Sequence, residues 1–261
     1  MPTLSLTDGS EPFKVTVLES APGAPVLLFA VGAGGNPERH LPLLTSLAES
    51  EYSVVAPHFT GLDASMPRED ELRLWARRLT LALDSVAPPG STVVGVGHSL
   101  GAAALLALAG GQIWLGAGRH VEIVPDGRLT RLVLLTPPMG FFQVEGALDA
   151  VQTPILAWAG SRDSITPAAQ VDVLVRALSG RLPLDVRVTE GAGHFSFMDL
   201  PPPDDLPTED VPPHMSVPGY RFGKHLLPVA GADAEKIKYA VEVKSLELLG
   251  LVPSDTIPRH T

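Results

Sequence analysis

Residues 92–109 read TVVGVGHSLGAAALLALA, and the fold turns on how this run is divided. From Pro88 to Gly118 there is no Asp, Glu, Lys or Arg. A membrane span needs roughly 20 consecutive, predominantly apolar residues, so the length alone would allow one. The interior argues otherwise. Gly90, Gly95, Gly97, His98, Gly101, Gly110 and Gly111 interrupt the run, its first half is β-branched and its second half rich in Ala and Leu. The division that fits is a buried strand, a tight turn at 97–101 and a buried helix.

Outward from this unit the same alternation repeats. Val26–Val31 (VLLFAV), Tyr52–Ala56 (YSVVA), Leu132–Thr136 (LVLLT) and Ile155–Ala159 (ILAWA) are short, nearly continuous apolar runs. Continuous hydrophobicity marks strands covered on both faces, as in a parallel sheet. Lys14–Glu19 and Leu184–Glu190 alternate instead, which suits edge strands. Helical patterns lie between. Leu41, Leu44, Leu47 and Ala48 recur at helical spacing after Asn36 and Pro37. Glu69, Asp70 and Glu71 make an acidic first turn for a helix whose apolar row is Leu72, Trp75, Leu79, Ala82 and Val86. Leu100–Ala109 and Pro167–Leu178 are a third and a fourth. Strands alternating with single helices imply right-handed crossovers and an α/β, mostly parallel, doubly wound sheet with helices on both faces.

Composition sets the outer bounds. The 261 residues are 45% hydrophobic, enough for a full core, and a single domain over 1–261 is expected. Nineteen basic against 29 acidic side chains leave a net charge of −10, which argues against nucleic acid as a partner. The absence of cysteine excludes disulfides, zinc–thiolate sites and thiol nucleophiles. MPTLSLTDGSEPFKV lacks a basic start followed by an apolar run, so a cytoplasmic location is expected. The tail differs from the rest. Residues 201–213 (PPPDDLPTEDVPP) hold six prolines and four acidic residues. This predicts a Pro-rich acidic surface crossing over 201–233, leading to an amphipathic C-terminal helix over 234–250 with Ile237, Val241, Lys244 and Leu248 on one row.

Gly97-His98-Ser99-Leu100-Gly101 matches G-x-S-x-G between a strand and a helix. The pentapeptide alone is weak in a chain with 25 glycines; the strand–turn–helix context gives it weight. A serine hydroxyl becomes a nucleophile only when a neighbouring base takes its proton, and a carboxylate must orient that base. Functional groups of open α/β sheets sit on loops after the carboxyl ends of strands. Asp163 follows Ile155–Ala159 in AGSRDSITP, and His194 follows Leu184–Glu190 in EGAGHFSF. Asp149, Asp185 and Asp199 lack that position. His98 neighbours the serine and should point away from it. The remaining histidines show no spacing that suggests a metal site, so no metal and no cofactor are expected. Gly-rich VGAGGN at 31–36 completes neither G-x-G-x-x-G nor G-K-[ST], so it does not read as a nucleotide loop.

GHSLG at 97–101, G-x-x-D-x-x-x-P at 160–167 and GAGHFSF at 191–197 together resemble the serine α/β-hydrolases. The resemblance covers roughly residues 14–200 and the last helix, and GHFSFMDLPPP is more specifically similar to the dienelactone hydrolase-like and platelet-activating-factor-acetylhydrolase-like branch. It implies that Ser99 is the nucleophile, His194 the general base and acid, and Asp163 its orienting partner. An oxyanion hole needs two backbone N–H groups. Leu100, after the nucleophile, would supply one. The loop after Val26–Val31 would supply the other, from Ala33 or Gly34. Many relatives have His-Gly where this chain has Val31-Gly32, which leaves that choice open.

Spacing adds an expectation about substrate. Residues 137–154, where lid-bearing relatives insert a cap, have room for only one short helix, assigned to Val144–Ala150, so a shallow site without a large cap domain is expected. Met139, Phe141 and Phe142 either line an acyl or alcohol pocket or cover the core, and His58, after YSVVA, either touches substrate or is a surface histidine. Residues 110–129 extend a helix, form an edge hairpin or serve an interface. Relatives that open haloalkanes or epoxides carry Asp at the elbow, whereas this chain has Ser. The reaction implied is hydrolysis of a small carboxylic ester through an acyl-enzyme. Thioester, lactone and acyl-transfer chemistry use the same parts, and a non-catalytic binding protein and a homo-oligomer stay open.

Overall fold

A computed structural model describes residues 3–60, 67–88 and 90–198. The predicted crossing over 201–233 and helix over 234–250 lie outside the described residues. Ten strands and four α-helices are described, as β1 (Thr3–Asp8), β2 (Glu11–Leu18), β3 (Val26–Ala30), α1 (Leu41–Glu49), β4 (Ser53–Pro57), α2 (Glu69–Asp84), β5 (Val93–His98), α3 (Leu100–Leu108), β6 (Ile113–Trp114), β7 (His120–Val121), β8 (Leu129–Leu135), β9 (Ile155–Gly160), α4 (Asp172–Leu178) and β10 (Leu184–Thr189). Eight of the strands form one sheet in the order β1-β2-β4-β3-β5-β8-β9-β10. β1 and β2 run antiparallel to their neighbours, and the remaining pairs are parallel.

The continuous apolar runs became the inner strands for the reason the pattern gives. Every residue of β3, β5 and β9 is buried, so both faces are covered. All nine residues of α3 are buried as well, which accounts for the uncharged stretch around it. Among the described residues no helix is long and apolar enough to cross a membrane. Of the predicted row α2 buries Leu72, Trp75, Leu79 and Ala82, while Val86 lies beyond its end and is partly buried; Trp75 stacks on Phe59 at 4.2 Å between ring centroids.

Two expectations need correction, and one open alternative is decided. Lys14–Glu19 was expected at a sheet edge, but β2 is second from the edge because Thr3–Asp8 pairs along it. The run TLSLTD alternates but has only Leu4 and Leu6 as apolar positions, too few to announce a strand; it is held by its hairpin with β2 and by Asp8, whose carboxylate binds Arg77 at 2.5 and 2.7 Å. The short helix placed at Val144–Ala150 lies earlier, as a 3₁₀ turn over Met139–Phe142, and 145–150 are turns. Residues 110–129 resolve to a small separate hairpin of β6 and β7.

Topology fixes where a site can form. From β3 the chain crosses to β4 on one side, and from β4 it returns past β3 to β5 on the other. The order reverses between β3 and β5, so the connections leaving their carboxyl ends diverge and open a crevice, where ligands of such sheets bind. Ser99 directly follows β5, and the glycine loop follows β3.

Candidate active site

Ser99 sits at φ 54° and ψ −125°, a conformation uncommon for a residue with a side chain. Such backbone strain costs on the order of 1–3 kcal/mol and persists only where the surroundings impose it. Here they do. The Ser99 N–H is held by the Leu135 carbonyl at 2.9 Å, while the Ser99 carbonyl already accepts from Ala102 at 2.9 Å to start α3. The flanking glycines make the turn physically possible. A Cβ on Gly97 would lie 2.7 Å from the Ala102 nitrogen, and one on Gly101 would lie 2.1 Å from the Ala30 carbonyl oxygen. G-x-S-x-G is thus a packing requirement of this strand–turn–helix.

Asp163 and His194, 31 residues apart, meet in the interior. His194 Nδ1 donates to Asp163 Oδ2 at 2.8 Å, and both side chains are buried. Asp163 Oδ1 accepts from the backbone N–H groups of Ile165 and Thr166 at 2.9 and 2.8 Å, and Oδ2 also accepts from the Thr166 hydroxyl at 2.8 Å. The carboxylate is therefore held on both oxygens. Because Nδ1 carries the proton toward Asp163, Nε2 is the nitrogen left to act as a base. Gly160 allows the two loops to meet: a Cβ there would be 2.3 Å from the Ala192 carbonyl oxygen.

His98 joins this pair to the elbow. Its Nε2 lies 3.1 Å from the His194 carbonyl oxygen, and since a carbonyl can only accept, Nε2 carries the proton. Its ring lies 5.0 Å from that of His194 on one side and 5.2 Å from that of His40 on the other. Burial, with smaller contributions from His194 and His40, holds the His98 imidazole well below its usual range, so it packs as a neutral ring. Among the described residues no hydrogen bond joins Ser99 Oγ to His194.

The sequence matches no family model and no curated protein. Solved structures do match. A protein of unknown function from Agrobacterium tumefaciens, described as a candidate α/β-hydrolase, superposes with a TM-score of 0.61 at 15% identity, over 97% of this chain and 100% of that one. The carboxylesterase Cest-2923 from Lactobacillus plantarum gives 0.57 at 14% identity, over 97% and 99%. Esterase 2 from Thermogutta terrifontis, in a structure phosphorylated by paraoxon, gives 0.55 at 14% identity, over 97% and 96%.

This chain has the α/β-hydrolase fold.

Within the α/β-hydrolase fold the other predicted residues fall as follows. The β3 loop passes beside the elbow: a Cβ on Gly32 would be 3.1 Å from Ser99 Cβ and 3.1 Å from His98 Nδ1. Ala33 follows it directly and is partly buried, whereas Gly34 is exposed. The loop turns back through a Gly35 N–H to Gly32 carbonyl bond at 3.0 Å. Gly35 itself must be glycine, being at φ 71° with the Phe59 carbonyl oxygen 2.2 Å from where a Cβ would be. Leu100 opens α3, where the first helical N–H groups have no partner within the helix.

His58 is engaged on β2, 2.8 Å from Thr16 Oγ1, and nothing brings it to Ser99. Met139 and Phe142 are buried in the core cluster, and Phe141 alone of the three is partly exposed. Between Thr136 and Pro154 the chain adds only the 3₁₀ turn over Met139–Phe142, so no cap domain is inserted there. Among the described residues no three His, Asp or Glu side chains cluster as metal ligands would.

Sequence reading missed two features. Thr166, touching both Asp163 and His194, stands in the S-I-T-P segment just after Asp163, and its offset of three residues was the available signal. The buried row of His40, His98 and His194 had none, because His40 and His98 come from different elements.

Proposed function

We propose that the protein is a serine hydrolase that cleaves small carboxylic esters through an acyl-enzyme on Ser99. The observation that carries this reading is the His194–Asp163 hydrogen bond, at 2.8 Å, on loops beside a strained serine at a strand–helix turn. Ser99 Oγ attacks the ester carbonyl carbon as its proton passes to His194 Nε2. The negative oxygen of the tetrahedral intermediate is met by the N–H groups of Leu100 and Ala33. His194 then gives the proton to the departing alkoxide, and water, deprotonated by the same nitrogen, releases the acid and restores the serine. Asp163 stabilises the imidazolium without taking its proton. The lack of an inserted cap between β8 and β9 favours water as the acyl acceptor over a bound alcohol. The esterase names among the structural neighbours support ester chemistry, and that esterase 2 is phosphorylated by paraoxon supports an organophosphate as probe.

The test is intact mass after treatment with a fluorophosphonate, on wild type and Ser99→Ala. A single adduct on wild type that disappears in the variant is the expected result, together with a loss of p-nitrophenyl acetate turnover of about 10⁴-fold or more. A folded wild-type protein that takes no adduct overturns the reading and leaves a binding role.

A further inference from the structure

Thr166 stands at the centre of the polar cluster behind His194. It is buried, three residues past Asp163, and its hydroxyl oxygen has three polar neighbours: Asp163 Oδ2 at 2.8 Å, His194 Nδ1 at 3.0 Å and the Thr136 carbonyl oxygen at 3.2 Å. A hydroxyl has one proton to give and two lone pairs to offer. The shorter contact and the charged acceptor direct the proton to Asp163 Oδ2. The hydroxyl lone pairs are then free to face the His194 Nδ1–H, which is shared between the carboxylate and the hydroxyl.

The framework around this hydroxyl is rigid. Thr166 is β-branched, and χ1 of such a side chain is stiff. Its own N–H is tied to Asp163 Oδ1 at 2.8 Å, so backbone and side chain grip the two oxygens of one carboxylate. On the far side Thr136, at φ 48°, turns its carbonyl toward the hydroxyl. A β-branched residue in that backbone region is an outlier that the surroundings must hold.

We propose that Thr166 is a positioning residue for the hydrolytic reaction, acting through Asp163 and His194 and touching no substrate. By donating to Oδ2 it fixes the carboxylate plane. By accepting from Nδ1–H it holds His194 in the tautomer whose Nε2 is a base, and it gives the imidazolium of the transition state a second acceptor. This role rests on the serine hydrolase reading above.

The test uses Thr166→Val, which keeps the branched shape and removes the hydroxyl, and Thr166→Ser, which keeps the hydroxyl. The expected result for Thr166→Val is a roughly tenfold or greater fall in kcat for p-nitrophenyl acetate and in the rate of fluorophosphonate labelling, with KM changed by less than about twofold. The low-field proton resonance of His194 Nδ1–H should move in Thr166→Val. Thr166→Ser should recover both rates to within about threefold of wild type and restore the resonance. Wild-type rates in Thr166→Val, or a Thr166→Ser variant as slow as Thr166→Val, would overturn the positioning role while leaving Ser99 as nucleophile. A wild-type protein that is not labelled at all overturns the hydrolase reading, and the role of Thr166 with it.

Discussion

At the scale of single residues, the site depends on which atom of each group carries a proton. Asp163 Oδ2 is an acceptor for both the His194 Nδ1–H and the Thr166 hydroxyl, and Oδ1 for two backbone N–H groups. An amide in its place must present an NH₂ to at least one of these donors. Asp163→Asn should therefore turn His194 to the wrong tautomer and lower the fluorophosphonate labelling rate by about 10³-fold or more, with an unaltered fold by circular dichroism. A fall of less than tenfold would mean that another carboxylate orients His194. That Asp163 and His194 would be brought together was readable from sequence because each follows a strand of the sheet. Thr166 was passed over because a Thr three residues past an Asp has no distinctive pattern until the loop is closed.

At the scale of elements, the decisive contact is the crossing of α3 over the end of β3. Gly101 brings the helix so close that a Cβ would lie 2.1 Å from the Ala30 carbonyl oxygen and 2.4 Å from that of Val31. Backbone cannot yield as a flexible side chain would. Gly101→Ala should cost about 2 kcal/mol or more, read as a lower urea midpoint, and should displace the Leu100 N–H and slow labelling with it. A variant as stable as wild type would show that α3 can shift without loss. A second element contact is the clamp of Asp8, at the end of β1, on α2. Its carboxylate binds Arg77 and lies 3.5 Å from Arg78 Nε, while the Arg78 guanidinium rests over the Phe13 ring at 5.0 Å. Asp8→Ala would leave Arg78, which is nearly buried, without its countercharge, and should destabilise by about 1–3 kcal/mol in the same melt. No change would assign the β1–β2 hairpin to backbone pairing alone.

At the scale of the whole molecule, buried neutral histidines tie stability to pH. Burial, reinforced by the nearby charge of Arg39, pushes His40 down to about 3, and the backbone of Phe197 opposes this only in part. His98 is lowered for the same primary reason. A histidine that resists protonation when folded but accepts it near pH 6.5 when unfolded makes the unfolded state bind more protons, so stability falls as pH falls below about 6.5. The loss continues until the folded group itself titrates, near pH 3 for His40. His40 alone should remove roughly 3 kcal/mol between pH 6.5 and pH 4. Urea melts at pH 7, 5.5 and 4 on wild type and His40→Phe would check this; parallel curves for the two proteins would exclude His40 as the cause.

What the sequence determined by itself was whatever follows from local periodicity and from order along the chain. Continuous apolar runs in 26–31, 92–96, 132–136 and 155–159 required strands covered on both faces, and G-x-S-x-G between a strand and a helix required a tight turn with a serine at its apex. What only the tertiary structure decided was whatever depends on contacts between distant segments. That Thr3–Asp8 joins the sheet as its edge, that Met139 and Phe142 face the core, and that Thr166 lies within hydrogen-bond reach of His194 are such contacts. The same holds for His40, His98 and His194 in one buried row. A strand's hydrophobic pattern is imposed by the layer that covers it and is written in its own residues. A hydrogen bond across 28 residues is set by where two loops meet, and each loop's sequence carries only half of that information.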